Sequence, residues 1–273
     1  MFLTFYNKIM FCKVLCFSIL ITLSACANTA KNNSTKTHSI KLDNNETLPI
    51  TYFISESKVR PTIIVLHGCS GLGGNVLEYA KVINSWGYNA VVPDSLAGRN
   101  ANTSCEADPL METRRYVGNT DRLKDLTASA EWVSKQPWHK GKMGAIGFSM
   151  GGVAVLNAAT NGGLVTHIDY KNEFISAVVA YYPRCYHENT YNHSIPIQIH
   201  IGKKDDWTSE RHCRPMIDTE KADVNIYPNA THSFDAKGLN MFYLNKFVVK
   251  YDPDAGPIAE AKTKAFFERH IAN

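Results

Sequence analysis

Three side chains in this sequence have the types and settings that nucleophilic acyl chemistry needs. Gly147-Phe148-Ser149-Met150-Gly151-Gly152 is a G-x-S-x-G run. Between a strand and a helix, such a run forms a tight turn that lifts a serine hydroxyl clear of a sheet, with glycines where a side chain would strike neighbouring backbone. Serine is a weak nucleophile at its own pKa, so it needs a base, and the base needs an acid to fix its tautomer. Ten histidines are available: His38, His139, His187, His193 and His270 fall in polar loops or termini, and His200 lies inside a strand. His232 differs, because it follows an apolar run in Tyr227-Pro228-Asn229-Ala230-Thr231-His232-Ser233-Phe234. The acid should leave the strand between serine and histidine, where Gly202-Lys203-Lys204-Asp205-Asp206-Trp207 offers two carboxylates. Asp206 or Thr208 suits the N-cap of a following helix, which leaves Asp205 as the expected orienting acid. The chain order is then Ser149, Asp205, His232.

The elements around these residues alternate. Ser39 to Leu42 and Leu48 to Ile54 read as a hairpin around Asp43-Asn44-Asn45. Pro61 to Leu66 is fully apolar and β-branched, the mark of a strand buried on both faces. Further strands are expected at Asn89 to Val92, Met143 to Phe148, Ile175 to Tyr181, Pro196 to Ile201 and Asp223 to Tyr227. Helices are expected at Asn75 to Trp86, Asp121 to Lys135, Gly151 to Ala159 and Ile258 to Ile271, with others between the last strands. Strands alternating with helices imply an α/β fold with a mostly parallel sheet covered on both faces, and a ligand site at the carboxyl ends of its strands. The Met150 N–H would open a helix beside Ser149, aimed where an oxyanion forms. The second donor should come from the loop His67-Gly68-Cys69-Ser70-Gly71, with Cys69 N–H as the candidate and His67 holding the loop's shape. Asp94 and Arg99 belong to the same edge. Either they line the substrate site, with Arg99 facing an anionic group, or they pair with each other and shape their loop.

The N-terminus has a different character. Lys8 and Lys13 precede the apolar run Val14 to Leu23, a secretory signal pattern too short and too quickly interrupted for a membrane span. Leu23-Ser24-Ala25-Cys26 resembles the lipobox of bacterial lipoproteins, which implies residues 1–25 as a cleaved leader and Cys26 as the lipidated first residue. The alternative is cleavage after Ala27 and a soluble product. Asn28 to Thr37 lack periodicity and apolar content, so residues 26–37 read as a flexible tether, with the domain at residues 38–273. The expected location is the bacterial cell envelope, membrane-anchored on the exported side.

Composition supports one folded domain: the 273 residues are 44% apolar and 20% charged. Basic residues number 29 against 25 acidic, or 27 against 25 once Lys8 and Lys13 are removed, with no basic stripe, so no nucleic-acid partner is expected. No cluster has zinc-ligand spacing; Arg211-His212-Cys213 supplies two ligands at most, and neither metal nor cofactor is expected.

Together, HGCSG at His67 to Gly71, PDSLAGR at Pro93 to Arg99, GFSMGG at Gly147 to Gly152, GKKDDW at Gly202 to Trp207 and THSF at Thr231 to Phe234 resemble the dienelactone hydrolase family of α/β-hydrolases. The resemblance implies an α/β-hydrolase fold, Ser149 as nucleophile, Asp205 as acid, His232 as base, and a small-molecule ester or related acyl substrate. Dienelactone hydrolases carry cysteine at the elbow, where this chain has Ser149. The expected activity is therefore a serine hydrolase; an acyltransferase with the same triad, or a binding module on a hydrolase fold, are the alternatives.

Four cysteines remain in the domain: Cys69, Cys105, Cys185 and Cys213. An even count in an exported chain suggests two disulfides. Their positions suggest Cys185 with Cys213 beside the acid loop, and Cys69 with Cys105 joining the oxyanion loop to the loop after Asn89 to Val92. The alternative is four buried thiols.

Overall fold

The computed structural model describes residues 33–42, 45–55, 58–105, 116–160, 173–185, 193–217 and 220–272. The expected leader at residues 1–25 and the expected lipidation site Cys26 lie outside them.

Strand β1 (Asn33–Lys41) pairs antiparallel with β2 (Thr47–Ser55), and β2 pairs antiparallel with β4 (Asn89–Pro93). The remaining strands run parallel: β3 (Arg60–Leu66), β4, β5 (His139–Phe148), β6 (Ile175–Tyr181), β7 (Ile197–Gly202) and β8 (Ala222–Tyr227). The order across the eight-stranded sheet is β1-β2-β4-β3-β5-β6-β7-β8. Helices α1 (Gly74–Ser85) and α4 (Ala255–His270) cover one face, and α2 (Asn119–Ser134) and α3 (Met150–Ala159) the other.

Side chains alternate along each central strand, so a strand with both faces covered must be apolar at every position. In β3, Ile64 and Leu66 pack with Leu123, Leu126 and Val155 on the α2/α3 side, whereas Ile63 and Val65 pack with Ile83, Phe266 and Phe267 on the α1/α4 side. All four β3 residues are buried.

Two expectations need correction, and one element was not expected. β1 starts at Asn33, so residues 33–37 of the expected tether are strand. An edge strand is held by backbone pairing: register from Asn33–Ser55 to Lys41–Thr47 gives it stability that its polar side chains do not advertise. Second, among the described residues no α-helix stands between β7 and β8; two short 3-10 turns, Glu210–His212 and Arg214–Met216, stand there, the second with Pro215 near its start. Third, a two-stranded hairpin, β9 (Asn240–Tyr243) and β10 (Phe247–Lys250), precedes α4. Sequence reading missed it because each strand is only four residues long.

Candidate active site

β5 ends at Phe148 and α3 begins at Met150, leaving Ser149 alone to turn the chain. Its backbone sits at φ 52°, ψ −114°, a conformation costly for any residue with a Cβ. The glycines explain how the turn closes. A Cβ on Gly147 would stand 2.0 Å from the Gly151 carbonyl oxygen, and one on Gly151 would stand 2.5 Å from that of Leu66. The Ser149 N–H is tied to the Tyr181 carbonyl at 2.9 Å, which fixes the elbow against β6.

The residues expected from the other two loops meet this serine. His232 Nε2 lies 3.1 Å from Ser149 Oγ and accepts its hydrogen, while Nδ1–H donates to Asp205 Oδ2 at 2.8 Å. The Asp205 carboxylate is held by its own turn: Oδ1 accepts from the Trp207 and Thr208 N–H groups at 2.9 and 2.8 Å, and Oδ2 from Thr208 Oγ1 at 2.9 Å. Asp205 and His232 are both buried. The carboxylate and imidazole therefore sit where water cannot compete for their hydrogen bond, and the imidazole's tautomer is set by the carboxylate.

Asp206 does not cap a helix. Its carboxylate accepts the Val248 N–H of β10, and Ser209 caps the first 3-10 turn through the Arg211 N–H. The overlooked hairpin thus braces both loops. Phe247 stacks flat on Trp207 with ring centroids 4.5 Å apart, and the Lys250 N–H donates to the His232 carbonyl. The Trp207 ring in turn lies 4.9 Å from that of His232.

The loop after β3 also borders Ser149, and Cys69, Ser149 and Met150 line one recess. His67 is fully buried; its Nδ1–H donates to the Gly68 carbonyl at 2.7 Å and its Nε2 accepts the Ser95 N–H at 3.1 Å. Burial, with the Arg122 cation adding to it, pushes its pKa down to about 3, so the ring is neutral and structural. Arg122 of α2, with 1% of its surface exposed, donates to the His67 and Gly68 carbonyls at 2.9 and 3.2 Å. Burial lowers its pKa to about 10, which still leaves a cation at neutral pH.

Arg99 has neither expected role. It makes a two-pronged pair with Asp125 of α2 at 2.8 and 2.9 Å and a second contact with Glu46 at 2.7 Å. Asp94 instead accepts the Leu96 and Ala97 N–H groups. A buried guanidinium needs carboxylates close by, and Asp125 is the one that α2 delivers. Arg122, Asp125 and Thr208 are the functional neighbours that sequence reading missed. The signal for the first two was charge at positions 122 and 125 on the face of α2 that carries Leu123, Leu126 and Val133.

The cysteines pair as Cys69–Cys105 and Cys185–Cys213, the pairs suggested by position. Behind the base, Tyr182 packs its ring 4.6 Å from that of His232, and its hydroxyl hydrogen-bonds the Asp235 carboxyl, whose pKa burial raises to about 6.

A sequence model of the dienelactone hydrolase family matches residues 50–271. No curated protein matches the sequence significantly. Among solved structures, the chain is similar to a dienelactone hydrolase-like promiscuous phosphotriesterase from metagenomic libraries (19% identity, 88% of this chain and 99% of the other, TM-score 0.70). It is similar to an esterase of Pyrococcus furiosus (15% identity, 88% and 94%, TM-score 0.64) and to a dienelactone hydrolase of Anabaena variabilis (19% identity, 88% and 99%, TM-score 0.62). At these identities the likeness is one of fold.

Proposed function

The chain belongs to the dienelactone hydrolase family of ester hydrolases, and from that premise we propose that it is a serine hydrolase working through Ser149, His232 and Asp205. The observation that carries this reading is the unbroken relay Ser149 Oγ to His232 Nε2 at 3.1 Å and His232 Nδ1 to Asp205 Oδ2 at 2.8 Å, set at a strained elbow.

In the first step His232 takes the Ser149 proton as Oγ bonds to the substrate carbonyl carbon. The Cys69 and Met150 N–H groups receive the oxyanion; the carbon–alkoxy bond then breaks, and the imidazolium gives its proton to the departing oxygen. Water repeats the sequence. It loses a proton to His232, its oxygen bonds to the acyl carbon, the carbon–Oγ bond breaks, and the proton returns to Ser149.

A fluorophosphonate probe tests this directly: the folded wild-type chain is labelled at Ser149 and Ser149→Ala is not. Absence of labelling on folded wild type overturns the proposal. We propose in addition that the protein is exported and lipidated at Cys26, on the strength of the Lys8/Lys13 flank, the apolar run and Leu23-Ser24-Ala25-Cys26. Two or more acyl chains there would hold it stably on a membrane, as one does not. Mass spectrometry of the N-terminal peptide decides, and an unmodified start at Asn28 overturns the lipid anchor.

A further inference from the structure

The β9–β10 hairpin has two faces of opposite character. In such a hairpin cross-strand partners share a face, and successive residues alternate between faces. One face carries the pairs Met241–Val249 and Tyr243–Phe247. It looks inward: Tyr243 and Phe247 stack on Trp207, and Met241, Tyr243 and Val249 wall a recess of about 460 Å³ that holds Ser149 and His232. The other face carries the pairs Phe242–Val248 and Asn240–Lys250. Phe242 is 56% exposed and Val248 39%, and Met241, at the rim of the recess, is 47% exposed. Seven large apolar side chains stand exposed among the described residues, and three of them lie on this hairpin, which makes it a patch rather than scatter.

The charge of this segment is one-sided. Ala236 to Tyr251 contains Lys237, Lys246 and Lys250 and no Asp or Glu. All three lysines are exposed, with no carboxylate partner among the described residues. Lys250 shares the outer face with Val248, and Lys246 stands at the turn with its Nζ 5.0 Å from the centre of the Phe247 ring. The carboxylates that meet the hairpin's edge and end are engaged: Asp206 accepts the Val248 N–H, and Asp252 accepts the Asp254 and Ala255 N–H groups at the start of α4. An apolar pair framed by cations matches the boundary of an anionic bilayer, where apolar side chains enter the acyl region and lysine stems lie along them with their ammonium groups at the phosphates. A second copy of the chain fits worse. A stable dimer buries about 800 Å² on each partner, two four-residue strands present a much smaller face, and two-fold symmetry would set lysine against lysine. We infer that the outer face of this hairpin docks on an anionic lipid surface, with Phe242 and Val248 inserted and the lysines among the headgroups. Because the inner face of the same two strands walls the recess at Ser149, docking sets that recess at the lipid boundary. The inference concerns binding and stands apart from the reading of the triad.

The test is co-sedimentation of the unlipidated mature chain, starting at Asn28, with vesicles of phosphatidylcholine alone or mixed with an equal part of phosphatidylglycerol. Without lipid on the chain, the anchor proposed at Cys26 cannot supply the binding. The mixed vesicles should hold the protein at least about 10-fold more tightly, and added salt should weaken binding. Lys246→Gln and Lys250→Gln should each lower the partition coefficient about 5-fold, the share of one lysine at an anionic surface. Phe242→Ser combined with Val248→Ser should lower it by about 10-fold or more, a scale set by the apolar area of the two side chains. Val59→Ser, at a position 53% exposed just before β3 and so at the opposite end of the strands, should leave it unchanged. Urea midpoints close to that of wild type separate lost docking from lost folding. Equal binding to both vesicle types, no binding to either, or a Phe242/Val248 variant that binds as wild type does overturns the inference. A chain that ignores vesicles and instead dimerises in solution, with the dimer lost in Phe242→Ser, assigns the face to a second copy and overturns it as well.

Discussion

The two flanks of Ser149 are built by different physics. On the acid–base flank, Asp205 is held by the N–H groups of the next two residues but one and by Thr208 Oγ1, all within its own turn, and the β9–β10 hairpin clamps the outside. On the flank proposed to receive the oxyanion, the His67–Cys69 loop is held mainly from a distance: by Arg122, 55 residues away from His67, by the Ser95 N–H on His67, by the Ser104 N–H on the Cys69 carbonyl and by the Cys69–Cys105 disulfide. Arg122's neighbour Arg99 is neutralised by Asp125 of the same helix, so α2 delivers both the cation and the carboxylate. A flank made of local turn bonds sets its geometry as soon as the turn forms. One held from afar depends on α2 docking correctly, and its geometry fails with any change in that packing.

The comparison predicts contrasting failures. Asp205→Asn keeps the turn's N–H bonds but presents an amide that favours the wrong imidazole tautomer. We expect kcat to fall by about 10³- to 10⁴-fold, with urea stability nearly unchanged. A loss below about 10-fold would mean that the carboxylate does not orient His232. Arg122→Met should do the reverse in kind. It strips the buried His67 carbonyl of the Arg122 donor and leaves the Gly68 carbonyl to the His67 Nδ1–H, a cost of about 1–3 kcal/mol in urea unfolding. Because the loop carrying the Cys69 N–H then relaxes, kcat should also fall by about 10- to 100-fold with KM little changed, somewhat less than loss of a whole oxyanion donor. If Arg122→Met lowers stability and leaves kcat untouched, the loop is positioned without the arginine.

The same division decides what the sequence makes legible. Ser149, His232 and Asp205 are readable because their settings are local: a glycine-flanked turn after the run Met143 to Phe148, and polar turns after two further apolar runs. The parallel strands of the core are readable because burial on both faces demands continuous apolar residues. Arg122 is not readable in this way, because a helical arginine one position before Leu123 looks like an ordinary solvated charge until the 3.6-residue period is traced and places it inside. The pairing of Arg99 with Asp125 over Asp94 depends on the docking of α2. β1 is opaque for a related reason, since an edge strand with exposed Thr35, Lys36 and Thr37 carries no apolar alternation. The Asp206 contact waits on a hairpin whose strands are too short to announce themselves.

Acid sensitivity should separate the flanks further. His67 is buried neutral with a pKa of about 3 against 6.5 when unfolded. A depressed folded pKa means that the unfolded chain binds the extra proton between these values, so stability is present above pH 6.5 and is lost as the pH falls. From pH 7 to pH 5 this amounts to about 2 kcal/mol, at 1.36 kcal/mol per pKa unit. Asp235, behind His232, has the opposite sign. Its pKa is raised to about 6 against 3.8. Its contribution is therefore complete below pH 3.8 and lost as the pH rises through 6, which returns about 1 kcal/mol over the same interval. His200, also near 3 through burial, adds a further acid-labile term common to every variant compared. Urea midpoints measured from pH 7 to pH 5 should thus fall less steeply for His67→Gln than for wild type, and more steeply for Asp235→Asn. Comparing slopes cancels the fixed packing cost of each substitution. Parallel slopes for all three proteins would mean that neither group titrates differently on folding, and the electrostatic contrast between the flanks would be lost, while the contrast in hydrogen bonding stands on the Asp205 and Arg122 variants.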